Sequence, residues 1–192
     1  MVKRAVLAEI DREIKSVWLH EIRRDYGNGA LLYEDSLKCG LYHHLRNRLD
    51  PLLQANHLRI YGEYTFPDLK CRADLVIAEI DEAWETRRYL KSAVTQIVAV
   101  IELKYTASAD AATEAWIRSD LRKFKRYFQE GNLDCQFYFG VIYEVECSTL
   151  NWVDGRSVAP GTWGHGRVTE LDAGYIDGKM SFEVHSYNGV TI

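Results

Sequence analysis

Thr95-Gln-Ile-Val-Ala-Val-Ile-Glu-Leu-Lys-Tyr105 is the stretch that decides the fold. Its first seven residues are mostly β-branched or apolar, which is typical of a central strand buried on both faces. Two charges, Glu102 and Lys104, then follow. Because successive strand side chains point to opposite faces, these two share a face with Val100, and Ile101 lies on the other. Charges in such a place are costly to desolvate, so the stretch predicts an ion pair or a metal site at a strand end.

A second apolar strand contains the same anomaly. Asp74 is the only acid within Cys71-Arg-Ala-Asp-Leu-Val-Ile-Ala78. If the two strands are neighbours in one sheet, Asp74 and Glu102 converge at one end of it, with Lys104 two residues beyond the second acid. A set of two carboxylates suits Mg²⁺ or Mn²⁺, which prefer oxygen ligands, and suits zinc poorly. The sequence therefore predicts a divalent-cation site at this end of the sheet.

The spacing of these groups resembles a known nuclease family. Asp74, the triplet Glu102-Leu103-Lys104 and a helical Glu34 upstream are similar to the motif of the PD-(D/E)XK nuclease superfamily. The resemblance covers residues 31–145. It implies an α/β (α+β) fold of the restriction-endonuclease-like type, with an αβββαβ core whose mixed central sheet is flanked by helices.

One position departs from the family pattern. Ala73 stands where the motif has its proline, as in many members of the family. A literal Pro67-Asp68 pair lies nearby, but Pro cannot donate to a central ladder and Asp favours turns. We therefore expect a turn at Pro67-Asp68 and assign the second-strand acid to Asp74.

The resemblance also implies roles for individual residues. In the family, the second-strand acid and the acid of the triplet bind the metal, the lysine assists the attacking water, and a helix acid often completes the site. The cofactor implied is Mg²⁺ (or Mn²⁺), and the function implied is a nuclease that cleaves nucleic acid, with DNA expected, by metal-activated water. Carried over to this chain, the catalytic residues are Asp74, Glu102, Lys104 and Glu34, and the metal ligands are Asp74, Glu102, the Leu103 carbonyl and Glu34.

The whole chain sets broader limits. Its 192 residues suit a single domain with a real core, and its net charge of −4 argues against a general nucleic-acid coat protein without excluding a basic groove. No apolar run is long enough to span a bilayer, and the first residues do not resemble a signal peptide, so we expect a cytoplasmic protein with no membrane partner. The four cysteines lack C-x-x-C spacing and are expected to be reduced.

Periodicity and composition divide the chain into an N-terminal helix (1–30), a central α/β segment (31–146) and a β-rich extension (147–192) that ends in a hairpin. The resemblance identifies the central segment as a nuclease-like core within a single domain. Gly27-Asn28-Gly29 is predicted to end the first helix, Asp50-Pro51 the second, and Asp177-Gly178 to form the hairpin turn. The predicted helices are Val2–Tyr26, Tyr33–Leu49 and Ala107–Glu130, and the predicted strands are Leu58–Phe66, Lys70–Ile80, Thr95–Tyr105, Cys135–Val145 and two in the extension.

Two of the helices carry candidate functional residues. Glu34 shares a helix face with Leu37 and Leu41, although a first-turn acid favoured by the helix dipole is an equal alternative. The third helix is crowded with cations and has Asp120 as the one acid among them. This suits a phosphate-facing surface, although a merely solvated face is the commoner explanation of such a charge run. The predicted nucleic-acid-binding residues are Arg118, Arg122, Lys123, Lys125 and Arg126.

Two rival functions stay open at the level of sequence. One is a catalytically inactive nuclease-like module that binds nucleic acid or a protein partner, in which Glu102 and Lys104 form a buried ion pair. The other is a metal-dependent hydrolase of a small phosphoester, for which the basic helix would be irrelevant. A homodimer formed through the N-terminal helix also stays open.

Overall fold

The computed structural model describes residues 2–187. Its secondary structure is helical at the start and alternates strands with helices afterwards. The helices are α1 (Arg4–Val17), α2 (Arg23–Gly27), α3 (Glu34–Ala55), α4 (Ala111–Gln129) and the single turn α5 (Gly155–Val158), and a π-helical turn, Trp18–Ile22, joins α1 to α2. The strands are β1 (Leu58–Phe66), β2 (Cys71–Ile80), β3 (Val94–Thr106), β4 (Gln136–Glu146), β5 (Val168–Ile176) and β6 (Lys179–Ser186).

The strands form one six-stranded sheet in the order β1-β2-β3-β4-β5-β6. The first three pair antiparallel, β3, β4 and β5 run parallel, and β6 returns antiparallel to β5. Parallel neighbours need a crossover connection, and α4 supplies it between β3 and β4. A mixed sheet flanked by helices confirms the coarser α/β prediction.

The sheet has an apolar core on each face. Ile101 and Leu103 belong to the core that α1 and α3 cover, whereas Val100 belongs to the core that Phe124 of α4 covers. This alternation along β3 is the one predicted, because a strand buried on both faces sends successive side chains into different cores. The side chains of Glu102 and Lys104 therefore leave the strand on the face of the sheet that α4 covers.

A glycine lets the first helix approach the sheet closely. Trp18 is fully buried, and its indole nitrogen donates to the backbone oxygen of Asp172 at 3.2 Å. A Cβ at Gly140 of β4 would lie 2.6 Å from Leu103 Cδ2 and 3.3 Å from Trp18 Cζ3. Any larger residue at position 140 would force the Leu103 and Trp18 side chains to shift.

Two predicted helix boundaries were wrong. Pro51 does not end α3, which continues to Ala55, because proline removes only one backbone donor while burial of Leu49 and Leu53 stabilises the next turn. Helix α4 begins at Ala111 rather than Ala107, because the Asp110 side chain accepts a hydrogen bond from Thr113 N at 2.7 Å and caps it there.

The C-terminal region is integrated into the sheet. Residues 147–192 were predicted as an extension, but β5 pairs in parallel with β4 along most of its length and β6 completes the predicted hairpin. The polar segment after β2 forms two 3₁₀ turns, Trp84–Thr86 and Leu90–Ala93. None of the helices within residues 2–187 has the length and apolar character that crossing a membrane would require.

Candidate active site

The candidate site lies at the end of β2 and β3. The antiparallel ladder ends at the Leu75–Ile101 pair, and continuing its register by one residue places Asp74 opposite Glu102. Asp74 Oδ2 accepts a hydrogen bond from Leu103 N at 2.8 Å. A carboxylate thus takes a backbone donor that a continuing ladder would use, and this brings Asp74 beside the Glu102-Leu103-Lys104 segment.

Lys104 joins the two helices that flank the sheet. Its Nζ lies 3.0 Å from Glu34 Oε2 of α3 and 2.8 Å from Asp120 Oδ2 of α4. The same ammonium sits 4.2 Å from the ring centroid of Trp116, a cation–π distance. Burial alone would lower the pKa of Lys104, but the Asp120 and Glu34 carboxylates outweigh it and raise that pKa. Lys104 is therefore held as a cation in this geometry.

Glu102 is the most deeply buried acid of the site, with 1% of its surface exposed. Its Oε1 accepts from the Tyr127 hydroxyl at 2.7 Å, and its Oε2 lies 3.1 Å from Lys123 Nζ. Burial raises the pKa of the Glu102 carboxyl to about 8, an effect that Lys123 and Tyr127 oppose and that Asp74 and Asp120 reinforce. Burial thus favours the neutral form of this carboxyl, while Lys123 and Tyr127 favour the charged form.

Asp74 has its own lysine partner. Asp74 Oδ1 lies 3.1 Å from Lys38 Nζ of α3, and Lys38 also contacts Glu63, which pairs with Arg72. Burial lowers the pKa of Lys38, but Glu63 and Asp74 together raise it above its usual value. Each acid on the two strands is therefore neutralised by a different lysine from a different helix.

The structure brings the predicted catalytic residues to one end of the sheet, but they do not all touch. Glu34 contacts Lys104 directly, whereas Asp74 and Glu102 are each held by a lysine outside the predicted set. Among residues 2–187, no three Asp, Glu, His or Cys side chains are arranged to hold a metal ion. The site is a network of alternating charges, called the charge network below. Its members are Glu34, Lys38, Asp74, Glu102, Lys104, Asp120 and Lys123.

Asp120 and Lys38 belong to this network and were missed as site residues. Asp120 lies 2.8 Å from Lys104 and 2.7 Å from Lys123, and it is buried. A sequence signal existed, since Asp120 falls between the buried Ile117 and Phe124 at helical spacing, the same anomaly of an acid on an apolar face. Lys38 carried a weaker signal, its position one helical turn after Glu34.

The five predicted nucleic-acid-binding residues lie on two different flanks of α4. Lys123 lies in the charge network, and Arg126 donates to the Leu69 backbone oxygen at 2.8 Å and pairs with Glu130. The other three line a groove on the opposite flank of the helix, against the segment between β4 and β5, and are Arg118, Arg122 and Lys125. The predicted basic surface is thus not continuous, because three of its cations line the groove and the other two face the opposite flank of the helix.

Comparison of this chain with protein-family models, with curated proteins and with solved structures finds no match. The residues and their geometry are therefore what a functional proposal can rest on.

Proposed function

We propose that this chain is a metal-dependent phosphodiesterase that cleaves nucleic acid, with DNA as its substrate. The observation that carries the proposal is the convergence around Lys104: a helix acid 70 positions away, Glu34, lies 3.0 Å from it, and Asp74 accepts from the backbone of Leu103, the residue between Glu102 and Lys104. Burying so many charges at one strand end is costly, and functional sites are where proteins accept that cost.

The oxygen donors at this end suit Mg²⁺ or Mn²⁺. Mg²⁺ is commonly held by one or two carboxylates, with its other positions taken by water and substrate phosphate, so two acids suffice. Asp74 and Glu102 would supply the carboxylates and Leu103 its carbonyl, as the family resemblance implies, with Glu34 as a further acid. When bound, the ion supplies neutralisation of phosphate charge and lowers the pKa of the attacking water.

Lys104 would act on the substrate directly. Glu34 and Asp120, from two helices, form ion pairs with its ammonium, and the Trp116 ring makes a cation–π contact with it. A cation fixed in this way can orient the attacking water or balance the charge that develops on the phosphate, without reorganising during the reaction.

The order of elements supports the family resemblance. Helix α3, strands β1 to β3, helix α4 and strand β4 follow one another as in the αβββαβ core that the PD-(D/E)XK superfamily uses. Asp74 lies on the second strand of this series and Glu102 with Lys104 on the third, the positions that the resemblance requires.

A specific observation favours a second candidate, an inactive nuclease-like module. Both strand acids already have ammonium partners, Asp74 with Lys38 and Glu102 with Lys123. A divalent ion would have to displace these partners, whereas a binding module could keep them as structural ion pairs. Metal binding therefore separates the two candidates.

The first test is cleavage. Duplex, single-stranded and branched DNA, together with RNA, are incubated with Mg²⁺ or Mn²⁺ and either the wild type or Lys104→Ala. We expect cleavage by the wild type and its loss in Lys104→Ala, while the matched control Lys179→Ala, an exposed lysine at the β5–β6 turn, keeps it. Cleavage that survives in Lys104→Ala would contradict the proposal.

The second test is metal binding measured by calorimetry with Mn²⁺ on the wild type and on Asp74→Ala. The nuclease proposal expects binding in the wild type and its loss in the variant. A wild type that binds no Mn²⁺, with or without added DNA, would favour the inactive module.

A further inference from the structure

A groove on the far flank of α4 shares no lining residue with the charge network. It has a volume of about 300 Å³ and lies between α4 and the segment that joins β4 to β5. Arg118, Arg122 and Lys125 form one wall, and since they recur at spacings of four and three residues, they make a single stripe along the helix. The other wall includes Trp152 and Trp163.

The cations of this groove lack ionic partners among the described residues 2–187. Arg118, Arg122 and Lys125 are all exposed, and within residues 2–187 none of them forms an ion pair or a side-chain hydrogen bond. The groove has one acid, Asp154, whose carboxylate accepts from Arg156 N at 3.0 Å at the start of α5. Three unpaired cations beside one engaged acid make a local positive surface on a chain whose net charge is negative.

Aromatic rings form the opposite wall of the groove. Trp163 is partly exposed and packs steeply against Phe137, with ring centroids 6.4 Å apart and an interplanar angle of 69°. Trp152 packs edge-on against Tyr143 at 5.2 Å. Trp152 is buried, so Trp163 is the indole with surface left for a ligand, and its packing against the core reduces the entropy lost when a ligand stacks on it.

A row of cations facing fixed indoles matches one class of polyanion. Single-stranded nucleic acid offers phosphates at regular spacing together with the open faces of its bases, and such strands bind where basic grooves meet aromatic rings. A duplex offers the same phosphates but hides its base faces. An acidic peptide would satisfy the cations and leave the indoles without a stacking partner.

We propose that this groove binds a single-stranded segment of nucleic acid, with phosphates on Arg118, Arg122 and Lys125 and an unpaired base against Trp163. The role of the groove in holding a substrate strand rests on the proposed nuclease function. Binding itself needs no metal and no catalysis, so the two proposals can fail separately.

The test measures fluorescence anisotropy of a labelled oligothymidylate and of a blunt duplex of equal length, both in EDTA. We expect the wild type to bind the single strand more tightly than the duplex. The double variant Arg122→Glu, Lys125→Glu should lose at least about tenfold in affinity. It should also reduce the slope of log affinity against log salt by about 1.4, because two phosphate contacts are lost at about 0.7 each on a single strand. Thymidine monophosphate should not displace the strand at comparable concentration.

A matched double variant controls for net charge. Lys3→Glu, Arg4→Glu changes the charge equally at exposed positions at the start of α1, which packs on the other face of the sheet. Its affinity should stay within about twofold of the wild type, since long-range charge effects are screened by salt. Equal losses in the two double variants would overturn the proposal.

The stacking contact has its own variant. Trp163→Leu keeps an apolar side chain against Phe137 and should weaken single-strand binding about tenfold, within the range expected for one stacked base. Trp163→Phe, which keeps a ring, should recover most of that loss, and it replaces the leucine variant if the latter does not fold. Equal affinity for strand and duplex, or competition by the mononucleotide, would overturn the proposal. Strand binding without any cleavage would instead reject the nuclease and keep the groove.

Discussion

Asp120 is the carboxylate that holds the charge network together. It contacts Lys104 at 2.8 Å and Lys123 at 2.7 Å from a buried position on α4. Asp120→Asn keeps the shape and removes the charge, which leaves two lysines each with one acidic partner. We expect a loss of about 3 kcal/mol in the free energy of unfolding, the scale of breaking a buried ion pair. Urea unfolding of Asp120→Asn measures it. The control Asp68→Asn, at an exposed turn position without an ion pair within residues 2–187, should change stability by no more than about 0.5 kcal/mol.

Asp172 of β5 is a buried acid outside the candidate site. It is fully buried, neither carboxylate oxygen forms a hydrogen bond within residues 2–187, and its nearest cation candidate, His185 Nε2, lies 3.7 Å away. Burial raises the pKa of Asp172 well above its usual value, and the Glu170 and Glu183 carboxylates raise it further. The folded chain therefore keeps a proton that the unfolded chain releases above a pH of about 4.

This difference predicts how stability depends on pH. Since the folded state binds more protons, the contribution of Asp172 to folding falls as pH rises from about 4 toward its folded pKa. Asp172→Asn cannot ionise, so it should match the wild type near pH 4 and exceed its free energy of unfolding at pH 7.5. Urea unfolding at several pH values tests this, and parallel curves for the two proteins would contradict it.

The residues that sequence analysis found share one property, a charge set inside an apolar pattern. Asp74 and Glu102 interrupt strands, so their burial was visible from neighbours along the chain. Asp11 and Lys15 of α1 are equally buried, with Lys15 Nζ 2.7 Å from Asp11 Oδ2. The sequence does not mark these two residues, because a helical pattern does not reveal that Tyr138 of β4 reaches Asp11 at 2.8 Å.

At the scale of elements, α3 shows a local rule overridden by packing. Its leucines recur every fourth residue from Leu37 to Leu53, and all are buried, so the stripe crosses Pro51 without interruption. The proline rule concerns one backbone donor, whereas each buried leucine contributes about 1.5–3 kcal/mol. The proline is visible in the sequence, whereas the burial of Leu53 depends on how the helix packs and is not.

Replacing this proline should therefore stabilise the protein. Pro51 is exposed and lies inside α3, so Pro51→Ala restores a backbone donor and removes the ring from the helix path. Inside a helix, alanine is favoured over proline by about 3 kcal/mol, but it also gives the unfolded chain more conformational freedom. We therefore expect a net gain of about 1–2 kcal/mol in the free energy of unfolding. Thermal unfolding measures it, with Gln54→Ala on the exposed side of the same turn as a near-neutral control. A loss of stability would show that the proline shapes the packing of Leu53.

At the scale of the whole molecule, strand order was harder to predict than strand identity. Each strand has a local apolar pattern that predicts it. The parallel pairing of β5 with β4, however, depends on the segment between them, residues 147–167, whose one helix is the single turn α5. A crossover without a long helix gives no periodic signal. The C-terminal hairpin was therefore recognised while its place in the central sheet was not.

This placement makes the C-terminal region part of the folding unit. Removing residues 147–192 would expose the β4 edge beside Phe137 and Phe139 and would take from Trp18 its backbone acceptor at Asp172. We expect a chain of residues 1–146 to lack a cooperative unfolding transition and to aggregate, since an exposed apolar edge strand pairs with other chains. Circular dichroism during urea unfolding, together with light scattering, measures both. Adding the 147–192 fragment in trans should restore part of the transition, whereas a sharp transition in the 1–146 chain alone would mean that the first four strands fold without the last two.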